Sequence, residues 1–514
     1  MPGPRARWAM LAVLCVSVFV VMMDVTVLNV ALPALIADVR PSPLTQLWIV
    51  DIYSLLLGGL LILSGALGDR VGRKLMFVAG FVVFAVASVV AATAAHSWQV
   101  VIGRALCAIG AAMLMPPTLS MIRSIFTDDR ERMRAIAIWS AVAGLGAAAG
   151  PLVGGVLVQS FGWRAAFWLN VPVAVVVIVA AVPLLPEYRA PHRGGGLDWF
   201  GAALSVFGIM ALAWGIKHTA TGGLTGADVA ILLVGAVLLA LFARRQLRSD
   251  DPLLDVRLFR RGPFTAAAVA MFVPQIVLGA MLLLITLWLQ SMHGYDPAQA
   301  GLRSLPIAVA SLVGSLIAPQ LLDRVEVRTT LGVSLLVVAG GLLYLGWAPQ
   351  PISYGSIAAV QVTMGLGAGV VTTIASSMLV AAVPAERAGQ AGAVSETSYD
   401  LGQGLGVALL GSIHGAIFAA RMTDLPVSGP DADAARSVGG VVAVATRLGG
   451  DAGAALMAHA RTAFDSALTT TAFIGAGLAV VATVLVVLLT PRGFTVSSAE
   501  PQRVSESDPR PAET

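Results

Sequence analysis

From Ala9 onward the sequence is a succession of apolar runs, each about 20 residues long and joined by short polar connections. A run of that length is what an α-helix needs to cross the hydrocarbon core of a bilayer. In lipid every backbone N–H and C=O must be satisfied within the protein, so such runs are predicted to be helices packed as one polytopic bundle. We count about fourteen. They begin near Ala9, Gln46, Leu75, Trp98, Met133, Ala165, Trp199, Val229, Phe264, Ala298, Leu331, Ile352, Gly392 and Thr469. Only 12% of residues are charged, against about 25% in a soluble domain. The first run, behind MPGPRARW, is too long for the apolar region of a signal peptide and is read as the first span.

Charge tests the count. With the N-terminus inside, the inner loops and tails hold about 23 of the 32 Lys+Arg and the outer loops about 8, and Arg104 lies within a span. The inner loops include GDRVGRK (68–74), RSIFTDDRERMR (123–134) and RRQLRSDDPLLDVRLFRR (244–261). An odd number of spans breaks this alternation, so both termini are expected on the cytoplasmic side. The net charge of +4 is read through topology rather than nucleic acid. Two non-spanning stretches stand out: 421–463, expected as a short helical hairpin at the outer surface, and the polar tail 491–514, expected to be disordered.

SGALGDRVGRK after the second span and APQLLDRVEVR after the tenth both place Asp-Arg-Val just beyond a span. This internal repeat pairs spans 1–6 with 9–14 and leaves 7–8 as an insert. The expected division is 1–190, a six-helix bundle; 191–262, spans 7–8 and a cytoplasmic linker; 263–490, a second six-helix bundle with outer loop 421–463; and the tail 491–514.

Charged residues inside spans carry the chemistry. A carboxylate at the bilayer centre costs about 2.5 kcal/mol or more and is rarely idle. Asp24 lies in span 1 (VVMMDVTVLNVALP), Asp51 early in span 2, and Glu396 and Asp400 in span 13. Glu396 and Asp400 are four apart and share a helix face, where two acids cannot both ionise cheaply, as a proton carrier requires. Arg104 in span 4 is costly there and rarely idle, with snorkelling to the outer surface as the alternative reading. His414, near the end of span 13, reads as an interfacial residue. Trp48, Tyr53, Trp139, Phe167, Trp168, Trp288 and Tyr399 are candidates to face a flat cation.

Two glycine motifs complete the picture. In GALGDRVGRK (65–74), Gly65, Gly68 and Gly72 permit a tight turn and close helix approach, Asp69 can pair across a helix end, and Arg70, Arg73 and Lys74 hold the loop inside. In GLGAAAGPLVGG (144–155), Gly146, Gly150 and Gly154 line one helix face, and Pro151 permits a bend. Cys15 and Cys107 sit in apolar runs with no disulfide or metal spacing. There is no Walker A loop, H-E-x-x-H, G-x-S-x-G or C-x-x-C, so neither an ATP-driven engine nor an enzyme is supported, and no cofactor or metal is called for.

With MDVTVLNVALP (23–33), TQLWIVDIYSL (45–55), GDRVGRK, MPPTLSMIRSIF (115–126), GPLVGG (150–155), DPLLDVRLF (251–259) and SETSYDLGQGLG (395–406), the chain resembles the fourteen-span drug:proton antiporters of the major facilitator superfamily. The likeness is greatest to quaternary-ammonium and dye exporters. The resemblance implies an all-α fold of two six-helix bundles with two extra central helices, in a monomer of the bacterial cytoplasmic membrane. It implies proton-driven export of lipophilic cationic drugs, dyes and antiseptics, with a narrow antibiotic or metabolite exporter as the alternative. It assigns coupling or substrate roles to Asp24, Asp51, Arg104, Glu396 and Asp400. It assigns gating to Gly65, Asp69, Arg70, Gly72, Arg73, Gly146, Gly150, Pro151 and Gly154. Where some relatives carry a span-10 acid linked to divalent cations, this chain has Ser311 in LPIAVAS, which favours monovalent substrates.

Overall fold

The computed structural model describes residues 4–41, 43–189, 198–222, 225–249, 252–384, 388–422 and 429–495. Among them all regular structure is helical. The first half contains α1 (Pro4–Val39), α2 (Pro43–Val71), α3 (Arg73–Ala92), α4 (Ser97–Ile125), α5 (Asp129–Phe161), α6 (Arg164–Trp168) and α7 (Asn170–Leu184). Next come α8 (Trp199–Gly222) and α9 (Gly226–Arg248). The second half contains α10 (Gly262–Leu287), α11 (Pro297–Arg303), α12 (Leu305–Leu322), α13 (Val327–Gly346), α14 (Tyr354–Ala381), α15 (Ala388–Arg421), α16 (Pro430–Ala435), α17 (Val438–Leu448) and α18 (Gly450–Leu489). Among the described residues, thirteen helices are long and apolar enough to span a bilayer, and α5, taken as one bent span, makes a fourteenth. Its pieces, Asp129–Ala147 and Leu152–Phe161, meet at 40°. The bend falls where Pro151 removes a backbone donor from a glycine-rich turn.

The two halves are built alike. In the first, α1 packs on α5, α2 on α4, α3 on α4, and α3 on α7. In the second, α10 packs on α15, α12 on α14, α13 on α14, and α13 on α18. Counted as spans, these are the same four pairings: first with fifth, second with fourth, third with fourth, third with sixth. Between the halves, α2 and α4 meet α15, while α5 meets α12 and α14. The pair α8–α9 packs together, and α8 rests on α2 and α15, one helix from each half.

Two features differ from the sequence expectation. The last span begins at Gly450, well before Thr469. Gly449 and Gly450, with φ of 62° and 49°, reverse the chain between α17 and α18, a conformation that glycine adopts without Cβ strain. The stretch from Val438 onward therefore folds as a hairpin whose second arm is the extended final span, and Val441, Val444 and Ala445 form the buried face of α17. The tenth span is divided at Ser304, with Pro306 in the first turn of α12. The expectation for the tail falls almost wholly on residues 496–514, which lie outside the described residues.

Candidate functional site

Asp24 is buried, and its Oδ2 accepts from Arg104 Nη1 at 2.7 Å. Its Oδ1 accepts from Asn170 Nδ2 at 2.9 Å, and the same amide approaches Ser88 Oγ at 3.3 Å. The face of the Arg104 guanidinium lies 4.3 Å from the centre of the Tyr53 ring. Five helices, α1, α2, α3, α4 and α7, thus converge on one ion pair. A lone charge at this depth is costly, so acid, base, amide and aromatic face are assembled together. Arg104 pairs within the bundle rather than snorkelling outward. Arg104 and Asn170 together satisfy both oxygens of the Asp24 carboxylate.

The cavity itself lies beside the pair, where α5 and α4 of the first half face α10, α12, α14 and α15 of the second. Its volume is about 60 Å³, and its lining includes Met22, Met115, Trp139, Met271, Gln275, Ser311, Glu396 and Tyr399. Glu396 is the one ionisable carboxylate among the described lining residues, and its side chain is buried. Asp400, one turn further along α15, is half-buried and close enough to both Glu396 and Tyr53 to interact with them electrostatically. Asp51 lies on α2, two residues before Tyr53, and its side chain is outside the described residues. A larger cleft of about 540 Å³ opens between loops at the basic end, lined by Asp129, Arg130, Asp323, Arg324 and Glu326. Its mixed, solvated charges make it a weaker candidate than the smaller cavity, which combines a buried carboxylate with aromatic and thioether walls.

At the basic end the halves are clamped. Arg73 Nε and Nη2 donate to Asp69 Oδ1 at 3.0 and 2.8 Å, and Arg73 Nη1 donates to Ser120 O at 3.1 Å and to Ser124 Oγ at 2.7 Å. The second oxygen of Asp69 crosses to the other half and accepts from the Gly389 backbone N–H at 3.1 Å. A Cβ on Gly65 would stand 2.5 Å from the Gly389 carbonyl oxygen, so α2 and α15 touch backbone to backbone here. Gly72 turns the chain at φ 127°. Arg123 donates to the carbonyls of Val380 and Val383 at the end of α14. Arg70 is half-buried near this clamp. From DPLLDVRLF, the Asp255 N–H and the Pro252 carbonyl bond the Gln390 side chain at the start of α15.

The second glycine motif packs within its own half. Gly146, Gly150 and Gly154 abut Phe19, Thr26 and Val27 of α1, the helix that carries Asp24. Gly144 faces Ser311 across the divide, 3.6 Å from where its Cβ would sit to Ser311 Oγ. The side chain of Pro151 lies outside the described residues.

The structure sorts the aromatic candidates. Trp139 and Tyr399 line the cavity, and Tyr53 covers Arg104. Trp48 stacks on Trp214 of α8, Trp288 donates to Asp465 at 2.9 Å, Phe167 meets Trp163 edge-on, and Trp168 faces outward. His414 is not interfacial: it is buried, with its ring 4.4 Å from that of Phe464, because α18 extends over it. Sequence reasoning missed Asn170 and Ser88. Asn170, a lone amide in FWLNVPVAVVV, carried the same signal as Arg104.

The sequence model of the Major Facilitator Superfamily matches residues 14–407. The multidrug efflux pump LfrA of Mycolicibacterium smegmatis is 41% identical over 94% of this chain and 96% of its own. The methyl viologen resistance protein SmvA of Salmonella typhimurium is 35% identical over 89% of this chain and 93% of its own. Among solved structures, the human organic anion transporter MFSD10 superposes with a TM-score of 0.61 at 14% identity, covering 94% of this chain and all of that one, a likeness of fold.

Proposed function

The chain belongs to the major facilitator superfamily, and from that premise we propose that this multi-pass membrane transporter exports drugs, exchanging lipophilic monovalent cations for protons across a bacterial cytoplasmic membrane, with both termini inside. The observation that carries the reading is the cavity between the halves, where one buried carboxylate, Glu396, stands among Trp139, Tyr399 and three methionines. Aromatic faces and thioethers hold a flat cation without a hydrogen-bond geometry of their own. Glu396 supplies the charge that cation and proton compete for. The relatives named for drug efflux and resistance support the direction of transport.

In the proposed cycle the acids load protons while the site faces outward, and the cation displaces them while it faces inward. Differential affinity in the two states couples the flows. Asp24, paired with Arg104, acts as the element that senses which face is open, and Asp69, Arg73 and Gly65 close the basic end. At about 60 Å³ the cavity is smaller than a drug site of about 300 Å³, so the halves must part to admit substrate.

A second reading has its own support. Methyl viologen is a dication, and SmvA is named for resistance to it. With Ser311 at the span-10 position, dication export in this chain requires Glu396 and Asp400 to be ionised together.

The test is ethidium efflux from cells expressing the protein, with and without a protonophore, for wild type and Asp24→Asn. Fast efflux that collapses with the protonophore and fails in the variant supports exchange with Asp24 in its path. Retention of ethidium by wild-type cells as in controls rejects cation export. Methyl viologen resistance in the same cells separates the two readings.

A further inference from the structure

Beside the Glu396 carboxylate and several hydroxyl and amide groups, the cavity lining holds an indole N–H donor. Trp139 of α5 lines the same cavity and is 3% exposed, yet its indole Nε1–H has no acceptor among the described residues. Buried Trp N–H groups ordinarily find a partner. Elsewhere this chain obeys that rule: Trp163 Nε1 donates to Asp38 at 3.0 Å and Trp288 Nε1 donates to Asp465 at 2.9 Å. A hydroxyl can rotate towards a backbone carbonyl, but an indole N–H is fixed by its ring and can donate only along one direction. Ser140, the next residue, also lines the cavity, and its Oγ likewise has no partner among the described residues.

We propose that the Trp139 indole N–H is a specificity-determining donor, and that the preferred substrates are flat monovalent cations carrying a hydrogen-bond acceptor, an ether or carbonyl oxygen, on the side away from their charge. This rests on the export reading above. A site built around a fixed donor discriminates strongly against a ligand that leaves the donor unpaired, whereas an apolar wall does not. The same ring still offers its face to any aromatic cation, so cations without an acceptor remain substrates of lower affinity.

The experiment compares two probes in proteoliposomes holding the full-length protein: berberine, a flat cation with ether oxygens, and tetraphenylphosphonium, a cation with no acceptor. In Trp139→Phe the KM for berberine is expected to rise about tenfold, while that for tetraphenylphosphonium stays within about twofold. Uptake of tetraphenylphosphonium serves as the control for folding. A second measurement leaves the protein unchanged: wild type should prefer an aromatic quaternary cation over its analogue with one ether oxygen replaced by methylene, again by about tenfold. Equal weakening of both probes, or no change in either, overturns the donor role and leaves Trp139 a wall. If wild type transports neither probe, the export reading fails, and the donor role with it.

Discussion

Burying Asp24 and Arg104 together strips water from both ions, and the pair holds only because Asn170 and the Tyr53 face complete its surroundings. Removing one partner leaves an uncompensated charge. Arg104→Ala is therefore expected to destabilise the protein by about 3–5 kcal/mol, seen as a lower melting temperature in detergent. Asp24→Asn combined with Arg104→Met should recover most of that stability and still export nothing. A double variant as unstable as the single one contradicts the account. Asp38 behaves differently. Its carboxyl is held below the usual carboxylate range by the Trp163 indole N–H and then by Arg164. A depressed pKa contributes stability that is full above the unfolded value, about 3.9, and lost only as pH falls through the folded value. This contact thus stays intact at pH 5.5 and 7.5, and Asp38→Asn should alter export equally at both. Sequence alone showed that Asp24 and Arg104 were expensive; it could not show that they meet, since 80 residues separate them and Asn170 lies 146 from Asp24. Their partnership is a product of packing, and local pattern does not carry it.

Helices were legible because each apolar run must satisfy its own backbone in lipid, which fixes both type and approximate length. Their ends were less so. The stretch before Thr469 is rich in Ala and polar residues, which reads as a loop by hydropathy, yet it continues α18 as a helix because α17 covers one face. The glycine motifs were visible as motifs, but only the structure distinguishes a contact between halves, at Gly65, from one within a half, at Gly150. The Gly65–Gly389 contact has no room for a side chain. Gly65→Val should part α2 from α15 and expose the buried floor beneath. With Cys15 and Cys107 replaced by Ala, Ser120→Cys is expected to react with an impermeant maleimide from the basic end about fivefold faster in that background, as a shift of about 1 kcal/mol in a two-state balance implies. An unchanged rate contradicts the clamp.

Across the whole molecule, the repeated Asp-Arg-Val makes the same kind of contact twice. Asp69 of the first half bonds the start of α15, and Asp323 of the second lies 3.6 Å from Arg130 at the start of α5. In each case the aspartate reaches the fifth span of the opposite half. The two contacts are not equal. Asp69 and Arg73 are buried, whereas Arg130 and Asp323 are exposed, and an exposed pair contributes under about 1 kcal/mol. Asp69→Asn is therefore expected to cut drug export at least about tenfold, and Arg130→Ala to change it less than about twofold, in resistance and efflux assays. Glu396 is placed where both halves can reach it, and on it the exchange account depends. The decisive measurement is tetraphenylphosphonium uptake into proteoliposomes with an acidic interior, for wild type and Glu396→Gln. Wild type should accumulate the cation against its gradient and lose that ability when the proton gradient is collapsed, while Glu396→Gln should only equilibrate it. Accumulation by Glu396→Gln at the wild-type rate would contradict the assignment of cation–proton competition to this carboxylate.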